Sequence, residues 1–295
     1  ISDLLPEYEK CLYLDGDIIV QCDVAELLNT DLEENYLAAI KDIGMQCGQG
    51  TYYTEHQKEL EFDSMDSYFN AGILVLNLRQ IRKDGMKDKF LKAAAITPDI
   101  RVGDTDFNTE NIIKAMIEAH KLDVKLAVFP ELVISGYTCN DLFLQDILLK
   151  GSLDGLKKII KASENLDMVT IVGLPFLNNF KLYNVAAVVF NGTLLGLVPK
   201  QHIPNYSEFY EARHFAVGPK EVSYIDIPEL GYELEDSGSF VSFGANLLFK
   251  AKNLPELVIG IDICEDLWMP VPPSCYHAMA SATVIANLSA SDETT

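Results

Sequence analysis

Three reactive side chains stand where apolar runs stop. Glu131 ends "LAVFPEL", Lys200 ends "LLGLVPK" and Cys264 ends "LVIGIDIC". Taken singly, each has an ordinary reading. A cysteine at a strand end is commonly a packed small hydrophobe, the lysine would cap a solvated strand, and the glutamate would neighbour a helix N-cap. Taken together they form an acyl-transfer set. A thiol needs a base to become a thiolate, and a carboxylate within hydrogen-bond reach can serve. The tetrahedral intermediate carries an oxyanion that a lysine stabilises in a dry pocket. Such a set would attack an amide or nitrile carbon, form a thioester and hydrolyse it. A second, separate signal is Asp15 and Asp17 in "LYLDGDIIV". Two carboxylates around a glycine can share one divalent cation, and hard oxygen ligands suit Mn2+ or Mg2+; a bare Asp-x-Asp is also a common turn.

The elements that must position these groups alternate between strand and helix. In the first part, "CLYLDGDIIV" and "FNAGILVLNL" are apolar β-rich runs. Further on, "FLKAAAIT" reads as a strand, "TENIIKAMIEAHKL" as an amphipathic helix and "VKLAVFPEL" as a strand ending in an acid. "DGLKKIIKASENL" reads as a helix and "MVTIVGLPF" as a strand. "LYNVAAVVFNGTLLGLVPKQH" gives two strands around an Asn191-Gly192 hairpin turn. "ELVIGIDICEDLW" and "SATVIANLSAS" supply the last two strands. This order predicts an α/β fold with its chemistry at strand ends.

The 295 residues allow one large domain or two modest ones, and 48% hydrophobic content suffices for a core. A net charge of -21 argues against nucleic acid or an anionic membrane as partner. Residues 1–85 hold 6 basic against 17 acidic side chains, and residues 86–295 hold 17 against 27. The composition therefore shifts around Met86. Six cysteines show no CxxC pairing or Cys/His metal spacing and read as reduced cytosolic thiols. No signal peptide and no apolar run of spanning length is visible, so a cytoplasmic location is expected.

Three stretches, "FPELVISGYTCNDLF", "LVPKQHIPNYSEFYEARHF" and "GIDICEDLWMP", resemble the nitrilase (carbon–nitrogen hydrolase) superfamily. Together with "ITPDIRV" they look like the glutaminase domain of glutamine-dependent NAD synthetase, from about Met86 to Thr295. The resemblance implies an αββα four-layer sandwich in which Cys264 is the nucleophile, Glu131 the general base and Lys200 the oxyanion stabiliser. It implies that Glu211 supports the lysine and that Tyr137 and Tyr206 line a glutamine pocket. Glu265 and Ser291 would hold the substrate's polar groups. No cofactor is implied for this part. The partners implied are L-glutamine and an ATP-using synthetase domain, whose Gly-rich pyrophosphate loop is not found in this sequence. An arginine that helps hold glutamine, and the last elements of the sandwich, are expected past Thr295. Oligomeric state is not legible, although the resemblance allows a homo-oligomer.

Upstream, "LPEYEKCLYLDGDIIVQCDVAELLNTDL" followed by "FNAGILVLNL" resembles the family 8 glycosyltransferases, a GT-A fold using UDP-sugars. By that resemblance Asp15 and Asp17 hold Mn2+ or Mg2+ against the diphosphate and Asn70 lies near the sugar. The match covers only the middle of such an enzyme, so a partial GT-A fragment over residues 1–85 is expected. It is joined to a nitrilase-like domain over 86–295 with Met86 reading as an initiator inside a longer frame. Four readings stay open. They are a glutaminase, a stand-alone amidase or nitrilase, an active UDP-sugar transferase, and an inactive fusion of two incomplete enzymes.

Overall fold

The computed structural model describes residues 7–14, 23–41, 69–84, 91–207, 209–230 and 240–291. Met86, Asp15 and Asp17 fall outside them. The chain divides into two compact units, Ile1–Phe90 and Leu91–Thr295.

In the first unit β3 (Phe69–Asn77) runs antiparallel to both β1 (Lys10–Leu14) and β2 (Leu37–Lys41). Helix α1 (Ala25–Leu28) lies between β1 and β2 in the chain, and α2 (Leu78–Lys83) follows β3 directly. Asn77 makes that turn from strand to helix. Its side chain accepts from the Gln80 N–H at 3.0 Å, supplying the N-cap, and donates to the Asn35 carbonyl at 3.0 Å.

The second unit is built on a mixed sheet of seven strands in the order β4-β5-β6-β7-β8-β10-β9. These are β4 (Ala93–Ala95), β5 (Leu126–Val128), β6 (Val169–Asn178), β7 (Lys181–Phe190), β8 (Thr193–Pro199), β9 (Ser223–Asp226) and β10 (Phe240–Phe243). A second sheet holds β11 (Phe249–Lys250), β12 (Val258–Ile263) and β13 (Val284–Leu288), with β12 central. The long strands β6 and β7 are apolar without alternation because both of their faces are covered. Val172, Leu174, Val185 and Ala187 pack under α3 (Thr105–Lys121) and α4 (Asp146–Ala162), against Ile112, Met116, Leu156 and Ile159. On the other face Ile171, Ala186, Val188 and Val198 meet Ile259, Ile261, Ile263, Ala286 and Leu288 of the second sheet. Each fully buried aliphatic side chain in these layers contributes about 1.5–3 kcal/mol. Short helix α5 (Pro273–Met279) covers the outer face of β12, where His277 sits against Gly260.

The layers therefore run helix, sheet, sheet, helix, the αββα sandwich expected of this part of the chain. The strands β2 and β9 to β11 and the helices α1, α2 and α5 were not foreseen from sequence. No helix among the described residues is long and apolar enough to cross a membrane.

Candidate active site

Glu131, Lys200 and Cys264 each stand just past a strand of the sandwich: Glu131 after β5, Lys200 after β8 and Cys264 after β12. Glu131 reaches its place because the Pro130–Leu132 loop presses against β6 at Gly173. A Cβ at Gly173 would lie 2.7 Å from the Pro130 carbonyl oxygen and 2.8 Å from the Glu131 carbonyl carbon, so no larger residue fits.

Lys200 is fully buried, and its Nζ donates to Glu131 Oε1 at 2.6 Å and to Glu211 Oε1 at 2.7 Å. Tyr137 OH donates to the same Glu211 oxygen at 2.7 Å. Asn184, in the middle of β7, donates from Nδ2 to Glu131 Oε1 at 2.7 Å. A second, longer contact of 3.4 Å runs from Nδ2 to Glu211 Oε2. Glu131 Oε2 is buried and, among the described residues, has no hydrogen-bond partner. An ammonium carries three donors and two are in use here. Among the described residues, one lysine N–H and one carboxylate oxygen thus take no hydrogen bond.

Cys264 begins a 3-10 turn, Cys264–Trp268, with a backbone φ of +46°. A non-glycine residue in that region is held by its surroundings at a cost of about 1–3 kcal/mol. Here the Cys264 N–H donates to Asn287 Oδ1 at 3.1 Å, which ties the turn to neighbouring β13. The sharp turn places the thiol at the end of β12, where its Sγ lies 3.7 Å from Ser291 Oγ. Tyr206 OH donates to Glu265 Oε2 at 2.8 Å, and its ring contacts Phe209, which in turn contacts Tyr137.

The charges of this cluster act on one another. Burial raises the Glu131 carboxyl above the usual range and the Glu211 charge adds to it, against the pull of Lys200. Burial would lower the Lys200 ammonium, but the two glutamates outweigh it and the group stays protonated. Burial, and then the Glu131 charge, hold the Cys264 thiol above its ordinary value, against Lys200. Burial and Glu211 raise the Tyr137 phenol. Burial and the Glu131 charge thus both favour the protonated form of the thiol.

The residues singled out from sequence in this unit fall into three linked groups. Glu131, Lys200, Glu211 and Tyr137 share hydrogen bonds, Cys264 meets Ser291, and Tyr206 holds Glu265. Asn70 lies on β3 in the first unit with its backbone opposite Ile40, and its side chain is outside the described residues, as are Asp15 and Asp17. Among the described residues no group of three or more His, Cys, Asp or Glu could hold a metal ion. Sequence reasoning missed Asn184, Asn287 and Asp266. Asn184 had a usable signal, as the one polar residue in the run "NVAAVVF".

Two family models match the chain: Glycosyl transferase family 8 over residues 1–121 and Carbon-nitrogen hydrolase over residues 92–294. The glutamine-dependent NAD(+) synthetase of Mycobacterium tuberculosis is 41% identical over 202 residues, 68% of this chain and 28% of that protein. The enzyme of the same name from Aquifex aeolicus is 34% identical over 190 residues, 64% of this chain and 28% of its own length. Among solved structures, a glutamine-dependent NAD(+) synthetase from Cytophaga hutchinsonii superposes with a TM-score of 0.57 at 28% identity. It covers 68% of this chain and 30% of that one. The chain spans 28% of the length of these curated relatives.

Proposed function

The chain belongs to the carbon–nitrogen hydrolase family, and from that membership we propose that its second unit hydrolyses the side-chain amide of L-glutamine to glutamate and ammonia. The observation that carries this reading is the division of labour on Glu131. Oε1 is fixed by Lys200 and Asn184, while buried Oε2 is open to take a proton.

The chemistry follows from that geometry. Cys264 Sγ attacks the amide carbon as its proton passes to Glu131 Oε2. The carbonyl oxygen becomes an oxyanion and accepts the third N–H of Lys200. Glu131 returns the proton to the leaving nitrogen, the C–N bond breaks and ammonia departs, leaving a thioester on Cys264. Water, deprotonated by Glu131, attacks the thioester and releases glutamate and the thiol. Glu211, held by Tyr137, keeps Lys200 charged and aimed. Tyr206 and Glu265, joined by their 2.8 Å hydrogen bond, and Ser291, 3.7 Å from the thiol, are the groups assigned to the substrate's polar ends, the carboxylate of Glu265 to an ammonium in particular.

Glutamine as substrate, rather than a simple amide, rests on the named relatives, which are glutamine-dependent NAD(+) synthetases. Ammonia release from L-glutamine, acetamide and propionamide by the purified chain and its Cys264→Ala variant tests the reading. Release from glutamine alone, lost in the variant, is expected. Equal turnover by the variant would remove Cys264 from the reaction, and preference for the simple amides would make the chain a general amidase.

A second reading concerns residues 1–121 alone, because they match the glycosyltransferase model. There Asp15 and Asp17 would bind Mn2+ or Mg2+ together with a UDP-sugar, with Asn70 near the sugar. Titration calorimetry of UDP with and without Mn2+ checks it; absence of metal-dependent binding removes it.

A further inference from the structure

One buried carboxylate next to the site takes no part in the chemistry above. Asp266 lies two residues past Cys264, is 3% exposed, and is saturated with donors from two separate segments. Its Oδ2 accepts the N–H of Ile263 at 3.1 Å, reaching back over the first turn of the 3-10 segment as an acidic cap does. Its Oδ1 accepts the N–H groups of Gln201 at 3.1 Å and His202 at 2.8 Å, and meets the His202 ring Nδ1 at 2.8 Å. Gln201 N–H also reaches Oδ2 at 3.4 Å.

Ile263 immediately precedes the cysteine, and Gln201 and His202 immediately follow the lysine. β8 and β12 belong to different sheets, so no ladder hydrogen bond fixes one strand end against the other. The apolar contacts between the sheets are non-directional and leave room for sliding. Asp266 supplies the directional link that those contacts lack.

We propose that Asp266 is a positioning residue that pins the Cys264 turn to the Lys200 strand end and so sets the thiol against the lysine–glutamate pair. It touches neither substrate nor the reacting atoms. The inference rests on the reading of Cys264 as nucleophile, and a misplacement of the order of 1 Å in such a site costs about 100-fold in rate.

The test uses the full chain and reads Cys264 directly, by quantifying alkylation of its peptide with iodoacetamide across pH, in parallel with glutamine turnover and thermal melts. Asp266→Asn keeps the volume but sets an amide against donors on both sides. It is expected to retain the cooperative melt, to slow Cys264 alkylation about tenfold, and to lower kcat 10- to 100-fold with KM changed less than threefold. His202→Ala removes only the ring bond and is expected to slow alkylation two- to threefold. Wild-type alkylation rates and pH profile in Asp266→Asn would overturn the proposal. Should that variant fail to fold, unchanged alkylation in His202→Ala overturns it and the slowed rate supports it. A wild-type chain that releases no ammonia from glutamine counts against the proposed function, while the alkylation comparison still decides on Asp266.

Discussion

Lys200 Nζ sits 2.6 Å from one oxygen of Glu131 and leaves the other oxygen of that carboxylate buried and, among the described residues, unpartnered. In the proposed mechanism one carboxylate thereby serves as both counter-ion and base. The contact favours the charged lysine without consuming the oxygen to which the proposal assigns the thiol proton.

Substituting Glu131 separates these roles. Glu131→Gln keeps the shape but has no basic oxygen, so kcat should fall about 10²- to 10⁴-fold. The thiol itself should respond in the other direction. The Glu131 charge is one of the groups raising the Cys264 pKa, and Lys200 opposes it. Alkylation of Cys264 should therefore shift to lower pH in the variant even as turnover collapses. Loss of both together would mean that Glu131 only maintains the structure.

Lys200→Met should remove oxyanion stabilisation, about 10²- to 10³-fold in kcat, and destabilise the fold by about 3–5 kcal/mol because two buried carboxylates lose their cation. The pH dependence has a definite sign. Without Lys200, the group that pulls Glu131 down is gone and its folded-state pKa rises further. A folded pKa above the unfolded one gives stability at low pH that is lost as pH rises through the folded value. The gap in melting temperature between wild type and variant should thus widen from pH 5 to pH 8. A gap independent of pH would contradict this assignment of charges.

Gly173→Ala should act on the site through packing alone. The new methyl pushes on the Pro130–Leu132 loop, which should cost about 1–3 kcal/mol and lower kcat by displacing Glu131. A melt and a turnover assay equal to wild type would show that the loop yields without moving the carboxylate.

Tyr137→Phe deletes a hydrogen bond to a buried, charged acceptor, with an expected cost of about 1.5–3 kcal/mol. Its activity loss should be smaller than that of Lys200→Met, since Lys200 retains both glutamates as partners. A larger loss would mean that the phenol touches substrate.

Much of this site could be read from sequence, for one physical reason. Buried strands of a two-sheet sandwich appear as unbroken apolar runs, so a polar residue at the end of a run stands out, as Glu131, Lys200 and Cys264 do. Residues whose role depends on a distant partner gave no such mark. Asp266 looks like a second acid beside Glu265, and only folding sets it against Gln201, 65 positions away. Short β2 and β9 to β11 went unseen because two to five residues carry too little periodicity. Asp15, Asp17 and Met86 lie outside the described residues.

The central claim is a thioester formed on Cys264 from glutamine. Acid-quenched mass spectrometry of the chain during turnover measures it directly. The account predicts one glutamyl adduct on the Cys264 peptide, with ammonia released in step and neither signal in Cys264→Ala. Ammonia release without that adduct, or an adduct on a different residue, would contradict it.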